Sequence, residues 1–181
     1  MDPVLRVATL ADADRIEVLM KESAAAIFPR WYDEQGAASA VEHVAVVDRL
    51  LLEDGTYFVL EAGGEIVACG GWSRRDRLYT GSGDGGDDAR LLDPATEPAR
   101  VRAMFVRDDW TRRGLGRRIL EECEAAARRE GFSQLALMAT LPGVPLYQAC
   151  GFETIEEGEL ALTDGVRLEY ASMTKSLDGV M

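Results

Sequence analysis

The sequence predicts an α/β fold of the mixed, α+β kind: one sheet of parallel and antiparallel strands with helices on both faces, in a single domain spanning residues 1–181. Three observations predict it. Gly63-Gly64 and Asp164-Gly165 each separate two apolar runs, and such pairs make hairpins. A strand pattern at 101–106, an amphipathic stretch at 114–130 and a second strand pattern at 135–139 make a crossover, which joins parallel strands. A chain of 181 residues with no internal repeat is the length of one domain with a sizeable core.

The elements follow in order. Residues 5–8 form a short strand, and Thr9 with Asp12 three positions on makes a capping pair. Ile16, Leu19, Met20, Ser23, Ala24 and Ile27 fall on one helical stripe, which Pro29 ends. A second helix is expected over 37–52, stopping before Asp54-Gly55. Strands at 57–61 and 66–72 form the first hairpin. Residues 74–98 are an irregular loop insertion. Its acidic glycine run at 80–88 fails as a calcium loop, because twelve positions from Asp84 end at Ala95 where a glutamate is required. The helix at 114–130 turns Leu115, Ile119, Cys123 and Ala126 inward and ends on Arg128, Arg129 and Gly131. A short helix at 145–150 precedes the last hairpin, 152–162 with 166–175.

Composition narrows the function. The net charge of −12 disfavours a nucleic-acid partner, which calls for a basic surplus. The basic residues gather locally instead, at Arg112, Arg113, Arg117 and Arg118, which suits a small polyanion. Cys69, Cys123 and Cys150 are an odd set with no Cys-x-x-Cys, so neither a disulfide framework nor a zinc site is expected and a reducing compartment, the cytoplasm, is. No metal is called for. The start, Met1-Asp2-Pro3, lacks the pattern of a signal peptide, and no apolar run reaches membrane-spanning length.

The most informative segment joins the strand at 101–106 to the helix after it. Between them lies Arg107-Asp108-Asp109-Trp110-Thr111-Arg112-Arg113-Gly114-Leu115-Gly116. Unpaired N–H groups, the positive end of the helix dipole and arginines coincide there, which makes a phosphate site, and the glycines let phosphate oxygens approach the backbone. A dinucleotide fingerprint needs a third small residue where Ile119 stands, and a nucleoside-triphosphate loop needs Lys-Ser/Thr where Arg117 and Arg118 stand.

Thr111-Arg112-Arg113-Gly114-Leu115-Gly116, taken with Leu146-Tyr147-Gln148-Ala149-Cys150-Gly151-Phe152, resembles the GCN5-related N-acetyltransferase (GNAT) superfamily. The resemblance is strongest over 99–152. It implies a GNAT-like acyl-CoA N-acyltransferase fold whose central sheet is splayed to admit a pantetheine arm. It implies acetyl-CoA as co-substrate, its pyrophosphate held by Arg112, Arg113, Gly114, Leu115, Gly116 and Arg117. Thr111 stands where the family usually has Gln or Arg, so the backbone rather than that side chain would carry the contact. Phe105 and Val106 would hydrogen-bond the pantetheine and flank the thioester carbonyl. Tyr147 matches the family's general acid, and a phenol is close enough to a thiol in acidity to protonate it as it leaves. Cys150 is expected to pack rather than attack.

The implied reaction is direct attack of a primary amine on acetyl-CoA. Its general base is not visible: Ala99 and Arg100 occupy positions where many relatives carry glutamate, Glu97 is an approximate substitute, and His43 is the single histidine. A water chain is the remaining route. Trp31-Tyr32-Asp33-Glu34, with the loop carboxylates Asp84, Asp87 and Asp88, suggests an acidic border for a small-molecule or peptidic amine that is cationic when free. The alternative is a non-catalytic acyl-CoA-binding or sensor module on the same fold. Acceptor identity and oligomeric state, a homodimer included, stay open.

Overall fold

The computed structural model describes residues 2–78 and 90–178. The acidic glycine run at 80–88 lies outside the described residues. The order is β1 (Val4–Val7), α1 (Ala13–Ile27), α2 (Glu34–His43), α3 (Arg49–Asp54), β2 (Tyr57–Ala62), β3 (Glu65–Ser73), β4 (Ala99–Val106), α4 (Leu115–Arg129), β5 (Gln134–Thr140), α5 (Val144–Ala149), β6 (Glu153–Ala161) and β7 (Arg167–Ser176). One seven-stranded sheet runs β1-β2-β3-β4-β5-β7-β6. Its pairs are antiparallel except β4 with β5, the two strands that α4 connects.

The sheet is buried on both faces. In β2 the side chains alternate: Tyr57 and Val59 join the core under α1, while Phe58 and Leu60 join the core under α4. The α1 stripe of Ile16, Leu19, Met20 and Ala24 fills the first core. The second takes Leu115, Ile119, Leu120, Cys123 and Ala127 from α4 against Trp72, Leu135 and Leu137. The buried stripe of α4 thus ends on Ala127, with Ala126 beside it only half-buried. Both hairpins form at the expected glycine pairs.

The helix expected over 37–52 is two helices, and this corrects the sequence reading. Val44, Val46 and Val47 crowd a helix at χ1 and lower its propensity. Asp48 then offers a better local solution: its Oδ1 accepts the Leu50 N–H at 3.1 Å and caps α3. The break is used by the fold, because Asp48 also takes Arg102 Nη2 at 3.0 Å and Arg77 Nη1 at 3.3 Å.

The capping pair before α1 forms. Asp12 accepts the Thr9 N–H at 2.8 Å and both terminal nitrogens of Arg6 at 2.8 Å, tying β1 to the helix start. These hydrogen bonds, Arg6's first, hold the Asp12 carboxyl well below the usual carboxylate range. A depressed carboxyl stabilises the fold above its unfolded value near pH 4 and loses that contribution as pH falls. Asp12→Asn is therefore expected to cost about 1–3 kcal/mol at pH 7 by urea unfolding, and to flatten the loss of stability between about pH 5 and pH 2.

Candidate active site

The site begins with a bend in β4. Between the pairs Cys69↔Phe105 and Gly71↔Arg102, β4 advances one residue more than β3. That extra residue is a β-bulge, and Ala103 within it adopts φ +49, a conformation L-residues rarely take. The Tyr57 hydroxyl donates to the Ala103 carbonyl at 2.5 Å and holds it there. β4 pairs with β5 only at Ala99↔Leu135 and Arg100↔Ala136, and past those pairs the strands part. The cleft between them is lined by Met104, Phe105, Leu137, Ala139 and Tyr147 among others. The splay implied by the family resemblance is present.

Beyond the bulge, the Arg107 N–H bonds the Val67 carbonyl on β3 at 2.9 Å. Alternation along a strand then turns the Val106 N–H away from β3 and the Phe105 N–H toward it. The Val106 carbonyl accepts from Ser23 Oγ at 2.6 Å, which fixes this strand end against α1.

The basic turn follows directly. Gly114, at φ +79, is the N-cap of α4 and carries no side chain to satisfy the first turn's donors. The first intrahelical bond runs from the Arg118 N–H to the Gly114 carbonyl at 3.0 Å. The N–H groups of Leu115, Gly116 and Arg117 are left for a ligand. Arg112, itself at φ +64, and Arg117 are exposed. Arg113 stacks on Trp110, its guanidinium carbon 4.5 Å from the ring centroid. Arg118 donates to the Pro3 carbonyl at 2.6 Å.

These arginines differ from the rest. Among the described residues, arginines elsewhere meet carboxylates at Asp12, Asp48, Asp54, Asp76, Glu97, Glu130 and others, with Arg49 the exception. Arg112, Arg113, Arg117 and Arg118 form no ion pair there, so a chain of net charge −12 keeps an uncompensated cluster of positive charge at one helix N-terminus.

Gly116 has a packing role the sequence did not show. A Cβ there would stand 2.8 Å from Leu146 Cδ2, so the glycine lets α5 approach α4. Tyr147, next to Leu146 in α5, lines the cleft. The Tyr147 ring is buried, edge-on to Phe152 at 5.7 Å. Among the described residues none hydrogen-bonds its hydroxyl. Burial raises its pKa well above the usual phenol value, so it stays protonated at neutral pH. Burial likewise pushes the Cys69 thiol up to about 12 and raises Cys123 and Cys150, so none of the three is a ready thiolate.

The family model of the acetyltransferase (GNAT) domain matches residues 53–154. The chain belongs to the GNAT acetyltransferase family. Solved structures share the fold along the whole length. A GCN5-related N-acetyltransferase from Rhodopseudomonas palustris is 18% identical, with a TM-score of 0.74 over 98% of this chain and 97% of that one. The PaiA N-acetyltransferase from Thermoplasma acidophilum, solved with coenzyme A, is 14% identical, with a TM-score of 0.68 over 97% and 99%. YncA from Salmonella typhimurium, solved with its cofactor acetyl-CoA, is 17% identical, with a TM-score of 0.63 over 100% and 97%. No curated protein sequence matches the chain.

Two expectations about this GNAT domain's acceptor side need correction. Glu97 is engaged elsewhere: Arg90 donates to it at 3.0 and 2.9 Å and the Asp93 N–H at 2.9 Å. Those bonds, Arg90's first, hold its carboxyl down to about 2, too weak a base for an ammonium. The Trp31–Glu34 segment does not border the cleft with free carboxylates either. Asp33 Oδ1 caps α2 through the Gly36 N–H at 2.7 Å, and Glu34 lines a separate groove with Pro29 and Val41. Tyr32 acts as a structural bridge, its hydroxyl donating to the Glu169 carbonyl at 2.7 Å and accepting from the Leu141 N–H at 2.8 Å. His43 lines a different cavity, its Nδ1 3.1 Å from Thr163 Oγ1 and its Nε2 3.5 Å from Asp164.

Among the described residues, no group of three His, Cys, Asp or Glu side chains could hold a metal ion, and no helix is long and apolar enough to cross a membrane.

Proposed function

We propose that this protein transfers the acetyl group of acetyl-CoA to a primary amine by direct attack. The observation that carries the reading is the cluster of arginines without carboxylate partners, set around open helix N–H groups at the mouth of a splayed sheet. Arg112, Arg113 and Arg117, with the backbone of Gly114, Leu115 and Gly116, would hold the pyrophosphate, where cationic donors and the helix dipole act together. The side chain of Leu115 is buried, so its contribution is its N–H.

The pantetheine arm would lie along the opened edge of β4. There the Val106 N–H is the better oriented donor for the developing oxyanion, because Phe105's faces β3. Tyr147 would give its proton to the departing thiolate. The apolar cleft makes a phenol a weaker acid, and it makes a thiolate a stronger base by the same desolvation, so the match between them survives burial. With Glu97 tied to Arg90, the amine's proton would leave through water. Three unpaired thiols suit a reducing compartment, and the cytoplasm is the location proposed.

The test pairs acetyl-CoA calorimetry with thiol release over a panel of primary amines. Binding with amine-dependent thiol release is expected. Binding without release for any amine would favour a non-catalytic acyl-CoA sensor, a reading kept in view by the lack of a carboxylate base. Absence of binding would overturn both.

A further inference from the structure

On the far side of the β4–β5 opening lies a second cavity of about 170 Å³. The end of α2, β5 and the β6–β7 hairpin form its walls. It shares Val44, Met138 and Thr140 with the cleft that Tyr147 lines, so the two spaces meet across the same side chains. A molecule whose nitrogen reaches the cleft has this cavity for the rest of its body.

The lining has a definite chemistry. Val44, Met138, Leu160, Leu162, Leu168 and Tyr170 make it apolar. Its remaining polar members are Thr140, Thr163 and His43, and no carboxylate, lysine or arginine is among the described residues that line it. The His43 ring nitrogens are directed at Thr163 and Asp164 of the hairpin, so that ring serves as outer wall. In size the cavity is close to the roughly 150 Å³ apolar void that binds benzene in an engineered protein.

We propose that this cavity is the acceptor subsite and that it takes a primary amine bearing an uncharged, benzene-sized apolar group, an arylalkylamine or an alkylamine of five or six carbons. The proposal rests on the acetyltransferase reading and narrows it, replacing the hydrophilic cation suggested by the Trp31–Glu34 segment. A second charge on the acceptor would lose its water here with no partner to replace it.

The experiment compares kcat/KM for propylamine, hexylamine, phenethylamine, cadaverine and lysine, and repeats it for Leu160→Glu. Leu160 is half-buried on the hairpin, away from the acetyl-CoA turn. Each methylene that enters the cavity should raise kcat/KM about 3- to 4-fold, so hexylamine should exceed propylamine by roughly 30- to 60-fold. Cadaverine and lysine should fall at least about 10-fold below hexylamine. Leu160→Glu should reverse the order of hexylamine and cadaverine while the KM for acetyl-CoA holds. The neutral isostere 2-phenylethanol should compete with the amine and not with acetyl-CoA. Preference for cadaverine or lysine, indifference to chain length, or an unchanged ranking in Leu160→Glu would overturn the subsite even with acetylation intact. If no amine turns over, the transferase reading fails separately. The cavity is then judged by saturation-transfer NMR with 2-phenylethanol: a signal lost in Leu160→Glu supports the ligand site, and no signal in the wild type overturns it.

Discussion

Arg112→Glu combined with Arg117→Glu should raise the Kd for acetyl-CoA by at least about 100-fold, because charge-assisted hydrogen bonds contribute about 1.5–3 kcal/mol each and two are lost. Both residues are exposed and meet no carboxylate among the described residues, so Tm should stay nearly unchanged. Arg49→Glu is the matched control, an exposed arginine likewise without an ion pair but far along the chain at the start of α3. Wild-type affinity should weaken as salt rises, and the double variant should lose most of that dependence. Equal calorimetric affinities in the wild type and the double variant would remove the turn from the binding site. Gly116→Asp is a poorer probe, since any Cβ there meets Leu146 and perturbs the packing of α5 as well.

Tyr147→Phe should lower kcat by roughly 10- to 1,000-fold with little change in acetyl-CoA affinity, the pattern of a proton donor used only in the transition state. The substitution keeps the ring that packs edge-on against Phe152, so a stability loss is not expected to mask the effect. Full activity in this variant would assign Tyr147 to packing and leave protonation of the thiol to solvent. A parallel rise in the Kd for acetyl-CoA would assign it to binding instead.

Legibility divides along a physical line. The strand–turn–helix pattern around Gly114 could be read because its parts are adjacent in the chain: a strand, arginines, a left-handed glycine and an amphipathic helix within about thirty residues. The hairpins were legible for the same reason. The break between α2 and α3 was missed because Asp48 competes as a cap only when its carboxylate is also recruited by Arg77 and Arg102, residues distant in sequence. The part of the acidic acceptor border expected at Asp33 and Glu34 was misread likewise, while Asp84, Asp87 and Asp88 lie outside the described residues. Asp33 looks free in a string of letters, but an N-cap uses its carboxylate within one turn.

Local pattern therefore sufficed for the strands, for the helices other than the one expected over 37–52, and for the central crossover, and it supplied the candidacy of the turn at the start of α4 and of Tyr147. Each depends on residues close in the chain, where periodicity, capping and turn preference act directly. The site itself is another matter. Its opening depends on Ala103 held at φ +49 by a hydroxyl from Tyr57 on another strand, and no local preference of alanine announces that. Tyr147 lines the cleft with Met104 and Phe105 of β4 and Leu137 of β5, residues distant from it in the chain or on other elements. The cavity proposed for the acceptor is assembled from α2, β5 and the last hairpin, and its apolar character exists only once those walls meet. Contacts between residues far apart in sequence are set by packing of the whole sheet, and that packing, not any single motif, makes the cleft.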